Sequence, residues 1–315
     1  MIAALALAAL AIVFIEGRYA PIRSGEYVAM GSSFAAGPQL GALDPTSPHL
    51  CWRTIENYPH QFARLAMLDL VDVSCGGATA SNLLHGGPFF TRPQIEAVGE
   101  QTKLVTITVG GNDVSYIGDL GLLSYRSGGG LPGWLVRAFW SGPRAAESRP
   151  FEELRQTLVA IADAVRQHAA HAQILFVTYP NVLPATGTCA RLGITEEDAA
   201  LMRGVEQKLA EITKLAASQS QATFVDIAKL SEGHDACSED PWVNGAIAPP
   251  REGAMFHPSV NGAHAIALVL DHARKAEVSR TSAARPRTSG SGAAETASPW
   301  PISVLVRSLG WHARR

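Results

Sequence analysis

The sequence predicts an α/β fold in which one parallel sheet of about five strands lies between two layers of helices. Short, nearly continuous apolar runs alternate with longer segments of helical periodicity between residues 26 and 275. Such runs are typical of parallel strands that are covered on both faces. Strands that alternate with helices need right-handed crossovers, which place helices on both sides of the sheet. The chain has 315 residues, 47% of them hydrophobic and 17% charged, so it can bury a core of this size.

Five apolar runs are the predicted strands. They are EYVAM (26–30), LVDVS (70–74), KLVTITV (103–109), QILFVT (173–178) and ATFVDI (222–227). Parallel sheets bind their ligands in the crevice beyond the carboxyl ends of the strands. The residues that directly follow these five runs are therefore the first candidates for a functional site.

Two helices are predicted from apolar residues that recur on one helical face, over 151–168 and over 196–216. The face residues are Leu154, Leu158, Ile161 and Val165 in the first segment, and Leu201, Val205, Leu209 and Ile212 in the second. Thr195 and Asp198 match a capping box at the start of the second segment. Both segments are therefore expected to pack one face against the sheet.

The segment 117–150 interrupts this alternation of strands and helices. Its glycines and prolines, in RSGGGLPGWLVRAFWSGP, argue against a regular element, but its aromatic and aliphatic residues are too apolar for a plain solvent loop. We interpret it as an insertion over the edge of the sheet that carries the site, forming an apolar wall or lid. A satellite hydrophobic cluster that only packs is the alternative.

The two ends of the chain differ from its middle in composition. Residues 2–15 form an unbroken apolar run, which is short against the ~20 residues of a membrane-spanning helix. The run suits a signal peptide better, although a basic stretch before it and a clear small-residue cleavage site after it are absent. We expect residues 1–23 to be a signal peptide or an N-terminal anchor, 24–275 to form one domain, and 276–315 to be a disordered tail. The protein would then be secreted or held in the cell envelope, and any membrane association would use the N-terminal segment.

Charge and cysteine content exclude several classes of function. The formal net charge of -2 gives none of the basic character that nucleic-acid binding needs, so no nucleic acid is expected as a partner. The four cysteines are Cys51, Cys75, Cys189 and Cys237, and no two of them form a C-x-x-C pair, which argues against a zinc or redox site. An even number of cysteines in an exported chain indicates two disulfides, with three pairings open.

A glycine-serine turn, GSS (31–33), directly follows the first predicted strand. It has neither the G-x-G-x-x-G nor the G-x-x-x-x-G-K-[ST] pattern of a phosphate-binding turn, so a nucleotide site is not supported. A serine nucleophile at this turn would need a base histidine, a group that orients the histidine, and donors for the oxyanion.

Residues of those types follow the other strands. The second strand is followed by CGGAT (75–79), which can aim a backbone N–H, and the third by GGND (110–113), which offers a side-chain amide. His257 precedes Pro258 and a helical segment after the last strand. Each feature alone is usually structural, but all four converge on one edge of the sheet.

These four blocks resemble those of the SGNH, or GDSL-type, hydrolases, in particular the secreted actinobacterial esterases and lipases. The resemblance covers residues 26–275 and implies the family's flavodoxin-like α/β/α fold and cleavage of carboxylic esters. It implies that Ser33 is the nucleophile and His257 the base, and that the Ser33 N–H, the Gly77 N–H and the Asn112 side chain form the oxyanion hole. It further implies a small-molecule or lipid ester substrate, no metal or other cofactor, and a monomer.

The same resemblance implies the disulfide pairing, Cys51 with Cys75 and Cys189 with Cys237. Cys51 and Cys75 correspond to the bridge beside the second block of the secreted esterases. The remaining two cysteines then form the second pair.

The sequence departs from the family pattern at two positions. Ser32 stands where the family has an aspartate, and Ala254 stands where it has the acid that orients the histidine. A backbone carbonyl near Ala254 could accept the histidine proton and give a Ser–His dyad; alternatively Glu252 reaches in, or the site only binds. The alternative functions are a carbohydrate O-acetyl esterase and a catalytically silent ligand-binding protein.

Overall fold

The computed structural model describes residues 2–20 and 22–284. Its contacts divide the chain into two compact units, residues 1–272 and 273–315, and the first contains the whole sheet. The tail expected over 276–315 is wrong for 276–284, which are helical. This stretch contains neither glycine nor proline, the residues that would interrupt a helix, before Pro286. Residues 285–315 lie outside the described part of the chain.

The sheet has five parallel strands in the order β2-β1-β3-β4-β5. The strands are β1 Tyr27–Gly31, β2 Leu70–Asp72, β3 Leu104–Thr108, β4 Gln173–Val177 and β5 Thr223–Val225. Every predicted strand is present, and all residues of β1 and β3 are buried, as their continuous apolar character predicts. This strand order is the flavodoxin-like one, whose topological switch point lies between β1 and β3. The chain segments that leave β1 and β3 therefore border the crevice of the fold.

Helices cover both faces of this sheet. The α-helices of the described residues, in chain order, are α1 Ile2–Tyr19, α2 Ser33–Ala36, α3 Tyr58–Ala66, α4 Ala80–His85, α5 Tyr116–Ser127, α6 Gly130–Phe139, α7 Phe151–His168, α8 Glu196–Gln219, α9 Ile227–Leu230 and α10 Val260–Ala284. The helices predicted over 151–168 and 196–216 are confirmed as α7 and α8. The Thr195 hydroxyl caps α8 by accepting the Asp198 N–H at 3.2 Å, but it also donates to the Asp198 carboxylate, so only half of the predicted capping box forms.

The segment 117–150 is more regular than its glycines and prolines predict, because it contains most of α5 and all of α6. Pro132 lies in the first turn of α6, where a missing N–H costs nothing. Gly133 is buried, and a Cβ there would lie 2.3 Å from the Gly128 oxygen and 2.7 Å from the Tyr125 oxygen. The glycine thus serves close packing of α6 against the end of α5 and does not break the helix.

The apolar N-terminal run forms α1, and the end of this helix contacts the rest of the unit. Phe14 packs edge-on against Phe90 at 5.5 Å, and the Glu16 carboxylate lies 3.0 Å from the Nδ1 of His49. Across the residues that the structure describes, none of the helices combines the length and the apolar character needed to cross a bilayer.

Both disulfides have the pairing that the family resemblance implies, Cys51–Cys75 and Cys189–Cys237. The first bridge ties the loop after β2 to the turn before α3, next to one of the candidate blocks. The Cys75 N–H donates to the Gly31 oxygen at 3.1 Å, and the Gly76 N–H donates to the Cys51 oxygen at 2.9 Å. The disulfide and these two hydrogen bonds together hold the loop after β2 against the turn before α3 and against the end of β1.

Candidate active site

Ser33 lies on the turn between β1 and α2, at the predicted edge of the sheet. Gly31, the last residue of β1, has a φ of 151°, and a Cβ there would lie 2.4 Å from the Thr108 oxygen, so only glycine fits. The buried Gln94 side chain holds the peptide groups of Gly31 on both sides, accepting its N–H at 2.7 Å and donating to its oxygen at 3.0 Å. Ser33 is thereby fixed on a constrained turn and remains partly exposed.

The imidazole of His257 faces Ser33. Its Nε2 lies 2.7 Å from the Ser33 Oγ, and its Nδ1 lies 2.7 Å from the main-chain oxygen of Met255. A carbonyl only accepts, so Nδ1 carries the proton and Nε2 presents its lone pair to the serine hydroxyl. Desolvation lowers the pKa of His257 to about 4, although the Met255 carbonyl acts in the opposite direction. At neutral pH the ring is therefore an uncharged proton acceptor.

The backbone carbonyl that contacts the His257 ring belongs to Met255 and not, as expected, to Ala254. The Ala254 oxygen already accepts the N–H of His257 itself at 3.2 Å, in the turn that precedes α10. The ring consequently reaches back only two residues. Glu252 is exposed, and its main-chain oxygen accepts the Asn244 amide at 2.9 Å. Since both ring nitrogens have other partners, the Glu252 carboxylate does not orient the imidazole in this structure.

The loops after β2 and β3 are joined to each other. The Asn112 Nδ2 donates to the Ala78 oxygen at 2.8 Å, which leaves its second amide proton for a ligand. The Asp113 carboxylate accepts the Ala80 N–H at the start of α4, with both oxygens at 3.0 Å. Desolvation raises the pKa of Asp113 to about 6. Asp113 thus joins the two loops, while Asn112 keeps a free donor.

Two backbone N–H groups at this edge remain available. Within residues 2–20 and 22–284, neither the Ser33 N–H nor the Gly77 N–H has a hydrogen-bond acceptor in the protein. Gly77 has a φ of 80° and is exposed, so its conformation requires glycine and its N–H is accessible. Together with Asn112 these groups provide three donors beside the Ser33–His257 pair.

Tyr179, which follows β4, connects the two sides of this site. Its hydroxyl lies 2.9 Å from the Ser32 Oγ and accepts the Gly111 N–H at 3.1 Å. Its ring stacks on Phe34 with centroids 4.1 Å apart, and Phe34 in turn lies 5.0 Å from the His257 ring. Ser32, which stands where the family has an aspartate, thus has an uncharged hydrogen-bond partner. Desolvation raises the pKa of Tyr179 to about 12, so the hydroxyl keeps its proton.

We expect Tyr179→Phe to lower kcat by about 10- to 100-fold while changing KM by less than about twofold. The substitution keeps the stacked ring but removes the hydroxyl oxygen that forms hydrogen bonds with both Ser32 and Gly111. Steady-state kinetics on a soluble ester measure the effect. Tyr27→Phe is the matched control, because it removes another buried hydroxyl, 2.8 Å from the Thr106 Oγ1, at the far end of β1. A loss of kcat in Tyr179→Phe no greater than in Tyr27→Phe would contradict a positioning role.

A cavity of about 500 Å³ lies elsewhere in the same unit, beside the edge strand β2. Polar side chains line it, among them those of Asp44, Arg53 and His60. The Arg53 guanidinium pairs with the Asp44 carboxylate at 2.9 Å, and neither Ser33 nor His257 reaches this cavity. The candidate chemistry is therefore located by the side-chain geometry at the switch point and not by this cavity.

The sequence predicted Ser33, Gly77, Asn112 and His257, and the structure brings them together at one edge. It did not single out Gln94, Met255 or Tyr179. Tyr179 carried a signal, because it directly follows a predicted strand. For Gln94 and the Met255 carbonyl, the sequence contains no signal that can be recognised before the structure is known.

The chain is similar to known lipases in both sequence and structure. The profile of the GDSL-like lipase/acylhydrolase family matches residues 29–265. Lipase 2 of Streptomyces coelicolor is 33% identical over 219 residues, covering 67% of this chain and 72% of that protein. The structure of an extracellular lipase from Streptomyces rimosus has a TM-score of 0.62 at 26% identity, covering 78% of this chain and 98% of that one. The structure of phospholipase A1 from Streptomyces albidoflavus has a TM-score of 0.62 at 25% identity, covering 79% and 99%.

Proposed function

This chain belongs to the GDSL-like lipase/acylhydrolase family and is a carboxylic ester hydrolase, and on that premise we propose that Ser33 and His257 cleave the ester as a catalytic dyad. The observation that carries the proposal is the line of contacts from the Ser33 Oγ through His257 to the Met255 carbonyl, with two distances of 2.7 Å. This line gives a serine hydroxyl, an uncharged base and an orienting group in the order that nucleophilic catalysis needs.

The Ser33 Oγ attacks the acyl carbonyl as its proton passes to the Nε2 of His257. The oxyanion that forms accepts hydrogen bonds from the Ser33 N–H, the Gly77 N–H and the free proton of the Asn112 amide. Loss of one such donor typically raises the barrier by about 2.7–4 kcal/mol. The tetrahedral intermediate collapses, His257 returns the proton to the leaving alcohol, and an acyl group remains on Ser33. A water molecule then releases the acid in the same two steps, with His257 again as base.

The Met255 carbonyl takes the place of the carboxylate of a triad. It fixes the tautomer and the orientation of the imidazole, which are the main requirements for proton transfer. A neutral carbonyl stabilises the imidazolium less than a carboxylate does.

We further propose that the protein is exported and acts on small-molecule or lipid esters as a monomer. Two disulfides fit an oxidising compartment. One of its similar structures is of a lipase described as extracellular. Residues 1–23 would then be the export signal or an N-terminal anchor, and the domain would extend from residue 24 to 275.

The pH dependence of kcat/KM tests the role of His257. Only the neutral ring accepts the serine proton, so activity is lost as the pH falls through the pKa of His257 in the free enzyme. Because desolvation lowers this pKa to about 4, we expect kcat/KM to stay near its plateau at pH 6 and to fall only near about pH 4 to 5. Initial rates on a soluble ester, with circular dichroism at each pH to verify folding, measure this. A half-maximal rate at about pH 6.5, the ordinary histidine value, would contradict the account.

A further inference from the structure

The helix α6 presents its apolar residues to solvent and not to the core. Leu131, Trp134, Leu135 and Phe139 recur at the spacing of one helical face, and their exposed fractions are 66%, 55%, 41% and 80%. The buried residue of this helix is Gly133, on the side that packs against α5. An amphipathic helix normally buries such a face, so a solvent-facing apolar stripe indicates a surface that another phase or molecule covers.

Between Asp119 and Glu147, the charged residues of the segment that carries this stripe are all basic. Residues 120–146 contain three arginines and no acidic residue. Arg126 is balanced by the Asp198 carboxylate of α8, at 2.8 Å. Arg137 and Arg144 are exposed. Arg144 interacts electrostatically with Asp119, whereas Arg137 donates to the main-chain oxygens of Arg126 and Gly128 and, among the described residues, forms no ion pair with a carboxylate. Arg137, on α6 itself, therefore adds positive charge to the helix that carries the apolar face.

Helix α6 is connected to the candidate active site through α5. It packs on α5, and the Tyr125 hydroxyl of α5 lies 3.9 Å from the sulfur of Met255, the residue two positions before His257. Helix α5 thus links α6 to the loop that carries the proposed base.

We infer that the exposed face of α6 docks the enzyme on an anionic lipid surface. The biological role of this docking rests on the proposed ester hydrolysis, whereas the binding itself depends only on the surface of α6. Tryptophan, phenylalanine and leucine enter the boundary between lipid headgroups and acyl chains, and the arginines attract anionic headgroups. Docking there places the mouth of the Ser33 site against the layer that holds its ester substrates.

Tryptophan fluorescence of the full chain tests this docking directly. The protein is mixed with phosphatidylcholine vesicles that carry brominated acyl chains, with and without about one third phosphatidylglycerol. Bromine quenches only a nearby tryptophan, so the difference between wild type and Trp134→Phe reports on α6 alone, even though the apolar α1 is present in both. We expect Trp134 to account for a large part of the quenching with anionic vesicles, and for much less at high salt. Equal quenching of wild type and Trp134→Phe would overturn the inference.

A second comparison separates docking from catalysis. In the double variant Leu131→Ser/Phe139→Ser we expect hydrolysis of an ester held in anionic vesicles to fall by about tenfold, and hydrolysis of a water-soluble ester to stay within about twofold. Leu215→Ser is the matched control, because Leu215 is an exposed leucine, 46% accessible, on α8. The inference is wrong if the double variant loses both activities equally. It is also wrong if ultracentrifugation shows that the wild type is a dimer and the double variant a monomer, since the stripe would then bind a second copy of the chain. Failure of wild type to cleave the soluble ester would refute the proposed function and leave the quenching result to decide the docking.

Discussion

Replacement of Ser33 by alanine is expected to lower kcat for ester hydrolysis by about 10⁴-fold or more, with the fold unchanged. The hydroxyl is the proposed nucleophile, and without it no acyl-enzyme can form. The Ser33 Oγ contacts the His257 Nε2, lies on a turn held by Gln94 and Gly31, and is partly exposed, so its loss leaves no cavity in the core. Kinetics on a soluble ester and the midpoint of thermal unfolding measure the two parts of this result.

Ser32→Ala is the matched control for Ser33→Ala. It removes a hydroxyl one residue away, which lies on the Tyr179 oxygen and not on the imidazole. We expect Ser32→Ala to retain measurable turnover, reduced by about 10- to 100-fold at most, in keeping with the positioning role of its partner. Equal and complete loss in both variants, or retained activity in Ser33→Ala, would contradict the assignment of the nucleophile.

The second large effect is expected at His257 and not at the nearby carboxylate. His257→Ala removes the base, and we expect a loss of about 10⁴-fold in kcat. Glu252→Ala should retain most of the activity, since both ring nitrogens of His257 have other partners and the Glu252 residue is exposed. Turnover of both variants on one soluble ester, with circular dichroism to compare their folds, tests the pair.

A carboxylate that held the imidazolium would produce a different pattern. Its removal costs up to about 10⁴-fold in turnover in the serine-protease triad. A loss of that order in Glu252→Ala, with folding unchanged, would refute the dyad and make Glu252 a displaced third member.

The sequence predicted the sheet correctly because a strand that is buried on both faces needs a nearly continuous run of apolar residues. The continuous apolar runs that became β1 and β3 could hardly be solvent-facing, and the one-sided periodicity of 151–168 matched α7 to the residue. For segment 117–150 the glycines and prolines predict no regular element, and this prediction is wrong, since the segment contains most of α5 and all of α6. Gly133 instead lets α6 approach the carbonyls at the end of α5, a contact that depends on tertiary packing.

The candidate site could be predicted where its chemistry belongs to side chains and turn glycines. Ser33 and Asn112 follow β1 and β3 closely, so the topology of the sheet brings them to one edge, and His257 lies in the segment between α9 and α10. The orienting group is a main-chain oxygen, which every residue possesses, so the sequence could indicate the neighbourhood of Ala254 but not the choice of Met255. Tyr179 contacts Ser32 through an uncharged hydrogen bond. The absence of the family aspartate at position 32 allows this contact, but it does not identify Tyr179 as the partner.

Covalent labelling with a fluorophosphonate tests the central claim most directly. The probe phosphonylates a serine only where a base activates it and an oxyanion hole accepts the phosphoryl oxygen. After digestion and tandem mass spectrometry, the account predicts a single phosphonylated residue, Ser33, and labelling at least about 100-fold slower in His257→Ala. Modification of Ser32 or of another serine in its place, or labelling of Ser33 at an unchanged rate when His257 is absent, would contradict it.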